Sequence, residues 1–453
     1  MAKSAIALPF TVYYGVSSWH QTGRPARVRR VRTAPLPLER STPTRLDPKH
    51  IAVIGAGAAG ACAALELAAR GYRVTLFERG QQAVAEASYV NEGKVHLGFI
   101  YAMDGSRRTA RKMIEGALVF EDYLKRWTDY NAAAAVSTPF FYGVHRGSLM
   151  ALPQLIEHYT ACVDYYRQRA AATGLDYLGL GVGAAFERVP EVRFPHGINP
   201  EYIEHLLQTT EYAVDPRHIA GLLRESLAAE SRVTLFTEHA VTGVEPSQRG
   251  GYRVAVAHNG ETGTAEFSQV VNAAWFRRLP LDRPLGIVPS APWSHRYKFG
   301  NRVAYRLQPD QLPSLTCVQG PFGDVVNFGE RGFFLSWYPT GRTGMSVEEV
   351  PPEWDAGYSR EQRMVVFRRS LGEWRLRCAD LARLDYPETA VDPAGGVIYA
   401  LGTEDVDHRT TRLHDRYAVG IQSRDGYHSV DTGKYTLAPL TGMAIADRVC
   451  GVA

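Results

Sequence analysis

The sequence predicts an α/β protein. A Rossmann-type domain opens the body of the chain, and a discontinuous, β-rich mixed-sheet domain is threaded through the later part. Two observations carry this. "HIAVIGAGAAGACAALELAARGYRVTLFERG", starting at His50, reads strand, tight turn, helix, strand. Its short apolar runs at Ile51 to Ile54 and Val74 to Phe77 suit the strands of a buried parallel sheet. From about residue 232 to 340 strand patterns outnumber helical ones, so a βαβ opening is followed by a mostly β region.

The turn of the opening unit is Gly55-Ala56-Gly57-Ala58-Ala59-Gly60, a G-x-G-x-x-G sequence between a strand and a helix. Gly55 permits the tight turn, Gly57 lets the backbone approach a pyrophosphate, and Gly60 lets the helix pack close on the strand. Ala58 and Ala59 begin the helix, where free N–H groups and the positive helix end attract an anion. Glu78, followed by Arg79, ends the second strand; a carboxylate there accepts hydrogen bonds from ribose hydroxyls and disfavours a 2′-phosphate. A glycine-rich turn without a ligand is the bland alternative, and the pattern continuing through Glu78 argues against it. A fingerprint near the front of a long chain, with strand-rich insertions after it, favours FAD over NAD.

The remaining elements follow in order. A helix is expected around 105–127, a strand at "PFFYGVHRG", and a long helix over roughly 152–171. "PRHIAGLLRESLAAE" forms a helix capped by Asp215 with Pro216 in its first turn. Successive strands run from Arg232 to Trp275, with turns at "RGG" and "NGETG". Helix returns at about 359–384, then strands and turns lead to a closing helix near 436–449. The expected boundaries are a basic N-terminal extension over 1–49, an FAD-binding domain over 50–140, 205–278 and 390–453, and a substrate domain over 141–204 and 279–389.

Composition excludes several classes. The net charge of +4 is concentrated in residues 1–49, which carry nine Lys/Arg against Glu39 and Asp47, leaving the rest at −3. A basic body suited to nucleic acid is therefore not expected. "RPARVRRVR" reads as a solvated tail, and Arg29 and Arg30 precede "TAPLPLERSTPT", which has no apolar run of an export signal. No stretch approaches 18 consecutive apolar residues, so no membrane span is expected. The five cysteines are scattered without CxxC spacing, which points to reduced thiols in the cytoplasm and to neither a zinc site nor a disulfide framework.

"NEGKVHLGFIY", residues 91–101, lies one loop beyond Glu78. Gly93 and Gly98 are expected to let the main chain pass against a flat ring, where a Cβ would obstruct. His96 is either a proton acceptor beside the reacting centre or a hydrogen-bonded core histidine. "FFLSWYPTGRTG" offers Trp337 and Tyr338 as a substrate wall and Arg342 as a carboxylate clamp. "RLHDRYAVGIQSRDGYHS" adds His414, Arg416 and Tyr427 as pocket candidates. In both stretches, strand aromatics equally suit a core. No Ser-His-Asp arrangement or metal-ligand spacing stands out.

Taken with these segments, the chain resembles the D-amino-acid-oxidase-type superfamily of FAD-dependent oxidoreductases. "NEGKVHLGFIY" is similar to the flavin-proximal segment of the branch containing L-2-hydroxyglutarate dehydrogenases and oxidases, through Asn91, Gly93, His96, Gly98 and Tyr101. "YAVDPRHIAGLL" resembles the entry to the second FAD-domain helix, "EHAVTGVE" with Val241 the strand meeting the adenine, and "VVNAA" with Ala273 the strand returning beneath the cofactor. "DTGKYTLAP" resembles the Gly-Lys-x-Thr loop beside the flavin pyrimidine ring. The resemblance spans about residues 50–450. It implies cofactor contacts from Asn91, Gly93, Lys94, Val95, His96, Gly433, Lys434, Tyr435 and Thr436, with Lys434 a cation stabilising the reduced ring. It departs in one place: relatives commonly have glycine after Asn-Ala-Ala, and this chain has Trp275, which leaves that turn open.

The implied activity is removal of a hydride from a carbon bearing an amine or hydroxyl, in an amino acid, cyclic amine or 2-hydroxy acid. His96, Tyr338 and His414 are the candidate catalytic residues, and Arg342, Arg416, Trp337 and Tyr427 the candidate substrate contacts. Oxygen or another acceptor would reoxidise the cofactor. The alternatives are a flavin monooxygenase and a nucleotide-binding partner subunit without chemistry of its own. A yellow protein bleached anaerobically by a substrate separates an enzyme from such a subunit.

Overall fold

The computed structural model describes residues 46–452 apart from His196. The expected basic extension over 1–49 therefore lies almost wholly outside the described residues. The chain opens with β1 (His50–Ile54), α1 (Ala58–Ala69) and β2 (Arg73–Phe77). β1 runs parallel to β2, with Ile51 opposite Val74, and residues 51–54 are buried. A strand covered on both faces has no use for polar alternation, which is why its sequence is a continuous apolar run.

Next come β3 (Lys94–Val95), α2 (Arg108–Lys125), β4 (Phe140–His145), α3 (Leu152–Thr173), β5 (Phe186–Val189), β6 (Ile203–Thr209), β7 (Tyr212–Ala213) and α4 (Pro216–Ala229). Helix ends fall where the sequence punctuates. The Asp215 carboxylate accepts the Arg217 N–H at 3.1 Å with Pro216 in the first turn, and α3 stops at Gly174. Then follow β8 (Val233–Phe236), β9 (Ala240–Pro246), β10 (Tyr252–His258), β11 (Glu261–Phe267) and β12 (Gln269–Asn272). The later chain adds α5 (Leu279–Asp282), β13 (Trp293–Val303), β14 (Ser314–Val318), β15 (Gly323–Asn327), β16 (Phe333–Trp337), α6 (Tyr338–Gly341) and β17 (Arg342–Ser346). It ends with α7 (Arg360–Arg377), β18 (Val391–Leu401), β19 (Ile421–Arg424), β20 (Tyr427–Val430) and α8 (Ala438–Val449).

Two large sheets organise these elements. A six-stranded sheet has the order β19-β20-β12-β1-β2-β8, parallel except at β19–β20. A nine-stranded mixed sheet has the order β17-β13-β16-β15-β14-β4-β6-β5, with β18 also paired to β13. β9, β10 and β11 form a separate antiparallel sheet, and β3 pairs with β7. β6 and β18 lie largely within segments expected to belong to the FAD-binding domain, yet both pair into the nine-stranded sheet. Strand patterning reveals that a strand exists, whereas its partner is chosen by long-range contacts.

α1 packs between the parallel sheet and α8, so closely that a Cβ on Gly442 would sit 2.6 Å from Cys62 Cβ. Its Glu66, nearly fully buried, accepts from Arg70, Arg126 and the Trp127 indole. On the other sheet α7 buries Trp374, whose indole donates to the Ser336 carbonyl at 2.7 Å. Such a side chain contributes on the order of 3 kcal/mol by burial, and its polar tip is satisfied as burial demands. The two sheets are joined by polar ties as well as by apolar packing, and those ties surround the site.

Candidate active site

A cavity of about 690 Å³ begins at the β1–α1 turn, passes Glu78 and Val241, and ends at His96, Lys434 and Tyr435. Gly55 has φ of +91°, and a Cβ there would lie 2.7 Å from the Ala273 carbonyl oxygen. A Cβ on Gly60 would lie 2.0 Å from the Gly55 carbonyl oxygen, so helix and strand approach only because it is glycine. Gly57 has an ordinary backbone and room for a Cβ except at Ser88 Oγ, 3.3 Å away. Its use is to keep the cavity floor open.

No side chain caps α1 from the N-cap position, though Ser88 Oγ accepts the Ala58 N–H at 3.0 Å. The Glu78 carboxylate is anchored through both oxygens, Oε2 accepting the Ala56 N–H at 2.9 Å and Oε1 the Gly80 N–H at 2.8 Å. Ala58, Ala59, Arg79, Val241 and Ala273 line the same cavity. An open floor at Gly57, backbone amides at a helix start and an anchored carboxylate on the next strand fit the pyrophosphate and ribose of FAD.

The segment 91–101 lies at the far end. Asn91 accepts the Gly93 N–H at 2.8 Å and donates to the Ala87 carbonyl, which shapes the turn into β3. The two glycines serve a purpose other than the expected one. A Cβ on Gly93 would sit 1.9 Å from the Val214 carbonyl oxygen, and one on Gly98 3.0 Å from Ala110 Cβ. At both positions a Cβ would meet protein and not the cavity, and the glycines let the segment press against the β7–α4 junction and α2.

Val95 is fully buried, and its carbonyl accepts from Tyr177 at 2.7 Å. Thr436 is also buried, and its hydroxyl donates to the Lys94 carbonyl and accepts the His96 N–H, at 3.0 and 3.1 Å. Neither side chain lines the cavity; Thr436 clasps β3 from the C-terminal loop. The Lys94 ammonium donates to Thr316 and Asp324 at 2.6 and 2.9 Å, tying β3 to the nine-stranded sheet.

The loop bearing Lys434 is braced from below. Asp431 accepts the Gly433 N–H at 3.0 Å, so that amide is already used, and it also accepts from Arg278. Asn272, Asp282, Tyr427 and Ser429 continue this buried network. Tyr427 is thus a core residue outside the cavity lining. Burial pushes the Lys434 ammonium down to about 8, with Glu92 opposing and Arg416 and Lys298 adding to the fall.

A second cavity, of about 250 Å³, opens off the first and shares Glu92, Lys94, His96, Arg416 and Lys434 with it. Tyr338, His414, Arg296 and Lys298 lie on its own walls. Burial lowers His96, and Glu211, with Oε1 3.6 Å from His96 Nδ1, opposes that fall. Burial, helped by Lys434 and Arg416, takes His414 down to about 4, so both imidazoles are neutral near pH 7. Burial pushes Glu92 up, but Lys434 leads neighbouring cations in reversing this, and the carboxyl ends below its ordinary value.

Two more of the expected substrate contacts fall elsewhere. Trp337 packs among Trp374, Phe322 and Arg377 in the core under α7. Arg342 pairs with Asp405 at 2.9 Å outside the cavity lining. Tyr338 lines the cavity, but its hydroxyl donates to the same Asp405, which also pairs with Arg296. Arg416 is buried, spends one donor on the Tyr399 carbonyl at 2.7 Å, and faces both cavities.

Sequence reasoning missed Glu92, Glu211, Arg296, Lys298 and Asp324. One signal was available: Arg296 and Lys298 are i, i+2 neighbours on a long strand and share a face. Trp275, the residue in place of the expected glycine, keeps the left-handed backbone a glycine would adopt, with φ of +54°. Its indole donates to the Val397 carbonyl on β18 at 2.8 Å, and it lines the first cavity.

The chain matches the family DAO, FAD dependent oxidoreductase, over residues 50–448. It is 35% identical over 292 residues to the FAD-dependent monooxygenase FPY4 of Fusarium mangiferae, covering 64% of this chain and 63% of that protein. The chain thus spans less than two thirds of that relative's length. Among solved structures, glycine oxidase from Geobacillus kaustophilus aligns with a TM-score of 0.62 at 16% identity, over 89% of this chain and 95% of that one. L-proline dehydrogenase from P. horikoshii aligns with a TM-score of 0.60 at 15% identity, over 89% and 93%. FAD-bound L-alpha-glycerophosphate oxidase from Mycoplasma pneumoniae aligns with a TM-score of 0.58 at 16% identity, over 89% and 94%. Those structures share the fold; the match running from β1 to the end of α8 makes this chain a member of the DAO family of FAD-dependent oxidoreductases.

Proposed function

We propose that this FAD-dependent oxidoreductase oxidises a small anionic substrate at a carbon bearing an amine or a hydroxyl, in the second cavity. The observation that carries the reading is the wall common to both cavities, where His96, Arg416 and Lys434 face the cofactor side and the substrate side together. When bound, FAD supplies the two-electron oxidant for the substrate C–H bond. Arg416, with donors left over from Tyr399, holds the substrate carboxylate, and burial in a low-dielectric wall strengthens that contact. His96, neutral at pH 7, accepts the hydroxyl proton of a 2-hydroxy acid, whereas an amine must arrive already deprotonated. Lys434 contributes positive charge that favours the electron-rich product state.

His414 stands on the opposite side as a second neutral imidazole. Tyr338 is a wall residue and not a base, because its hydroxyl is committed to Asp405 and burial raises it further. The likeness of residues 91–101 to the L-2-hydroxyglutarate branch supports including hydroxy diacids among the candidates. Five free thiols support a reducing compartment, and among the described residues no helix is long and apolar enough to cross a membrane.

Anaerobic reduction of the purified flavoprotein by a panel of amino acids, cyclic amines and 2-hydroxy acids tests the reading. Bleaching by one class is expected and, where that class is a 2-hydroxy acid, His96→Ala should slow it roughly 100-fold at retained flavin content. Reduction by none, or reduction by a 2-hydroxy acid at an unchanged rate in His96→Ala, refutes it. The curated relative's name favours one second reading, oxygen insertion into the substrate. Labelled dioxygen separates the two, since an oxidase leaves the label in hydrogen peroxide and puts none into the oxidised substrate.

A further inference from the structure

We propose that Glu211 is the positioning residue for His96, a buried carboxylate that orients the imidazole and stabilises it once it has taken the substrate proton. This rests on the reading of His96 as proton acceptor. Glu211 sits on the short link between β6 and β7 and is fully buried. Among the described residues, its ion-pair partner is His96 alone, with Oε1 3.6 Å from Nδ1. Its other contacts are neutral donors: Oε2 accepts the Leu97 N–H at 2.5 Å, and Oε1 accepts the Tyr142 hydroxyl. A buried carboxylate without a cation is costly unless its environment is arranged around it, and this one is fixed from two directions.

His96 Nδ1 is buried and has no hydrogen-bond partner, although it faces that carboxylate. The ring is held at its backbone by Thr436 and edge-on by Tyr101, with centroids 5.2 Å apart. With Nδ1 turned to Glu211, Nε2 on the other edge is left to meet the substrate. Glu211 is the charged group acting most strongly on the ring and favours its protonation, while the Lys434 and Lys94 ammonium groups oppose it; Glu92 and Arg416 line the same cavities.

The step balances. The substrate O–H bond breaks and its proton joins Nε2, while the C–H bond gives up hydrogen with its electron pair to the oxidant FAD, leaving a carbonyl. The imidazolium then has Glu211 within ion-pair distance, which lowers the barrier to forming it, and it later releases the proton to solvent. Tyr142, by donating to Oε1, tempers that attraction.

The test is substrate-free: titration of the His96 imidazole by NMR in holoenzyme carrying ¹³C-labelled histidine, assigned by loss of its signal in His96→Gln. In Glu211→Gln the His96 pKa should fall by about 1 or more, and in Tyr142→Phe it should rise, because an uncompensated oxygen attracts the imidazolium more strongly. Opposite shifts are not what loss of packing produces. An unchanged pKa in Glu211→Gln overturns the proposal. Should that variant fail to fold, a Tyr142→Phe pKa that stays put or falls overturns it instead. Failure of the underlying reading looks different: the pKa shifts occur as described, but anaerobic reduction by the panel is indifferent to His96→Ala.

Discussion

Replacing Trp275 should give an order of stabilities opposite to the usual one. A bulky L-residue held at φ of +54° costs about 1–2 kcal/mol relative to glycine. Against this, the indole N–H bond to Val397 contributes about 1 kcal/mol and the half-buried ring another 1–2 kcal/mol. Trp275→Gly loses the contacts but sheds the strain, so its net loss should stay within about 2 kcal/mol. Trp275→Ala loses the same contacts and keeps most of the strain. Allowing about 0.5–1 kcal/mol for glycine's freedom in the unfolded chain, the glycine variant should still be the more stable by roughly 0.5–1 kcal/mol. Urea unfolding of the two apoproteins, compared by midpoint at equal slope, measures this. An alanine variant as stable as the glycine variant, or more so, would refute the claim that the turn demands a left-handed residue.

Three further outcomes are expected. Gly57→Val should fold, since its φ is ordinary and its Cβ meets only Ser88 Oγ, yet lose most bound flavin; absorbance at matched protein concentration decides it. Gly60→Ala should do the reverse, costing several kcal/mol of stability because its Cβ would lie 2.0 Å from a backbone oxygen, read as a fall in thermal midpoint. Lys434 is cationic below about 8 and neutral above, so its help to flavin reduction should be present at pH 7 and disappear as pH rises through about 8. Lys434→Met should be slower by about 10-fold or more at pH 7, without that alkaline limb, in stopped-flow reduction by the best substrate of the panel.

How much could be read beforehand depends on where the information lies. The cofactor end was legible because the turn chemistry is local. Gly55, Gly57 and Gly60 stand within one short strand–turn–helix pattern, even though a Cβ on Gly55 would meet Ala273 and one on Gly57 Ser88, and Glu78 stands at the end of a strand whose pattern is plain. The same reasoning misassigned Gly93 and Gly98, for glycine announces a close approach without saying to what: here Val214 and Ala110. Trp337 and Tyr427 were misplaced because aromatic strand residues look alike whether they face a pocket or a core, and only pairing and packing decide. Glu211 could not have been found at all. It stands 115 positions from His96 in the chain, in no motif, and its meaning comes from the β3–β7 pairing that brings the two side chains together.

The polar residues at the junction also account for one another. Lys94 is neutralised by Asp324, Arg296 by Asp405, and His96 stands before Glu211, while Lys298, Arg416 and Lys434 face the one remaining carboxylate of Glu92. The surplus is positive, and it lies in a wall where burial depresses Lys434 and Arg416 below their ordinary values. A protein that only had to be stable would not gather uncompensated cations in a low-dielectric pocket. Their cost is offset when an anion arrives, either the substrate carboxylate or the negative charge that accompanies reduction of the cofactor. Binding and electron transfer should therefore be coupled through the same three side chains. Occupancy of the second cavity by a carboxylate should raise the affinity of that wall for protons while reducing its attraction for charge on the cofactor side, so a competitive anion should shift the flavin's potential downward even without turnover.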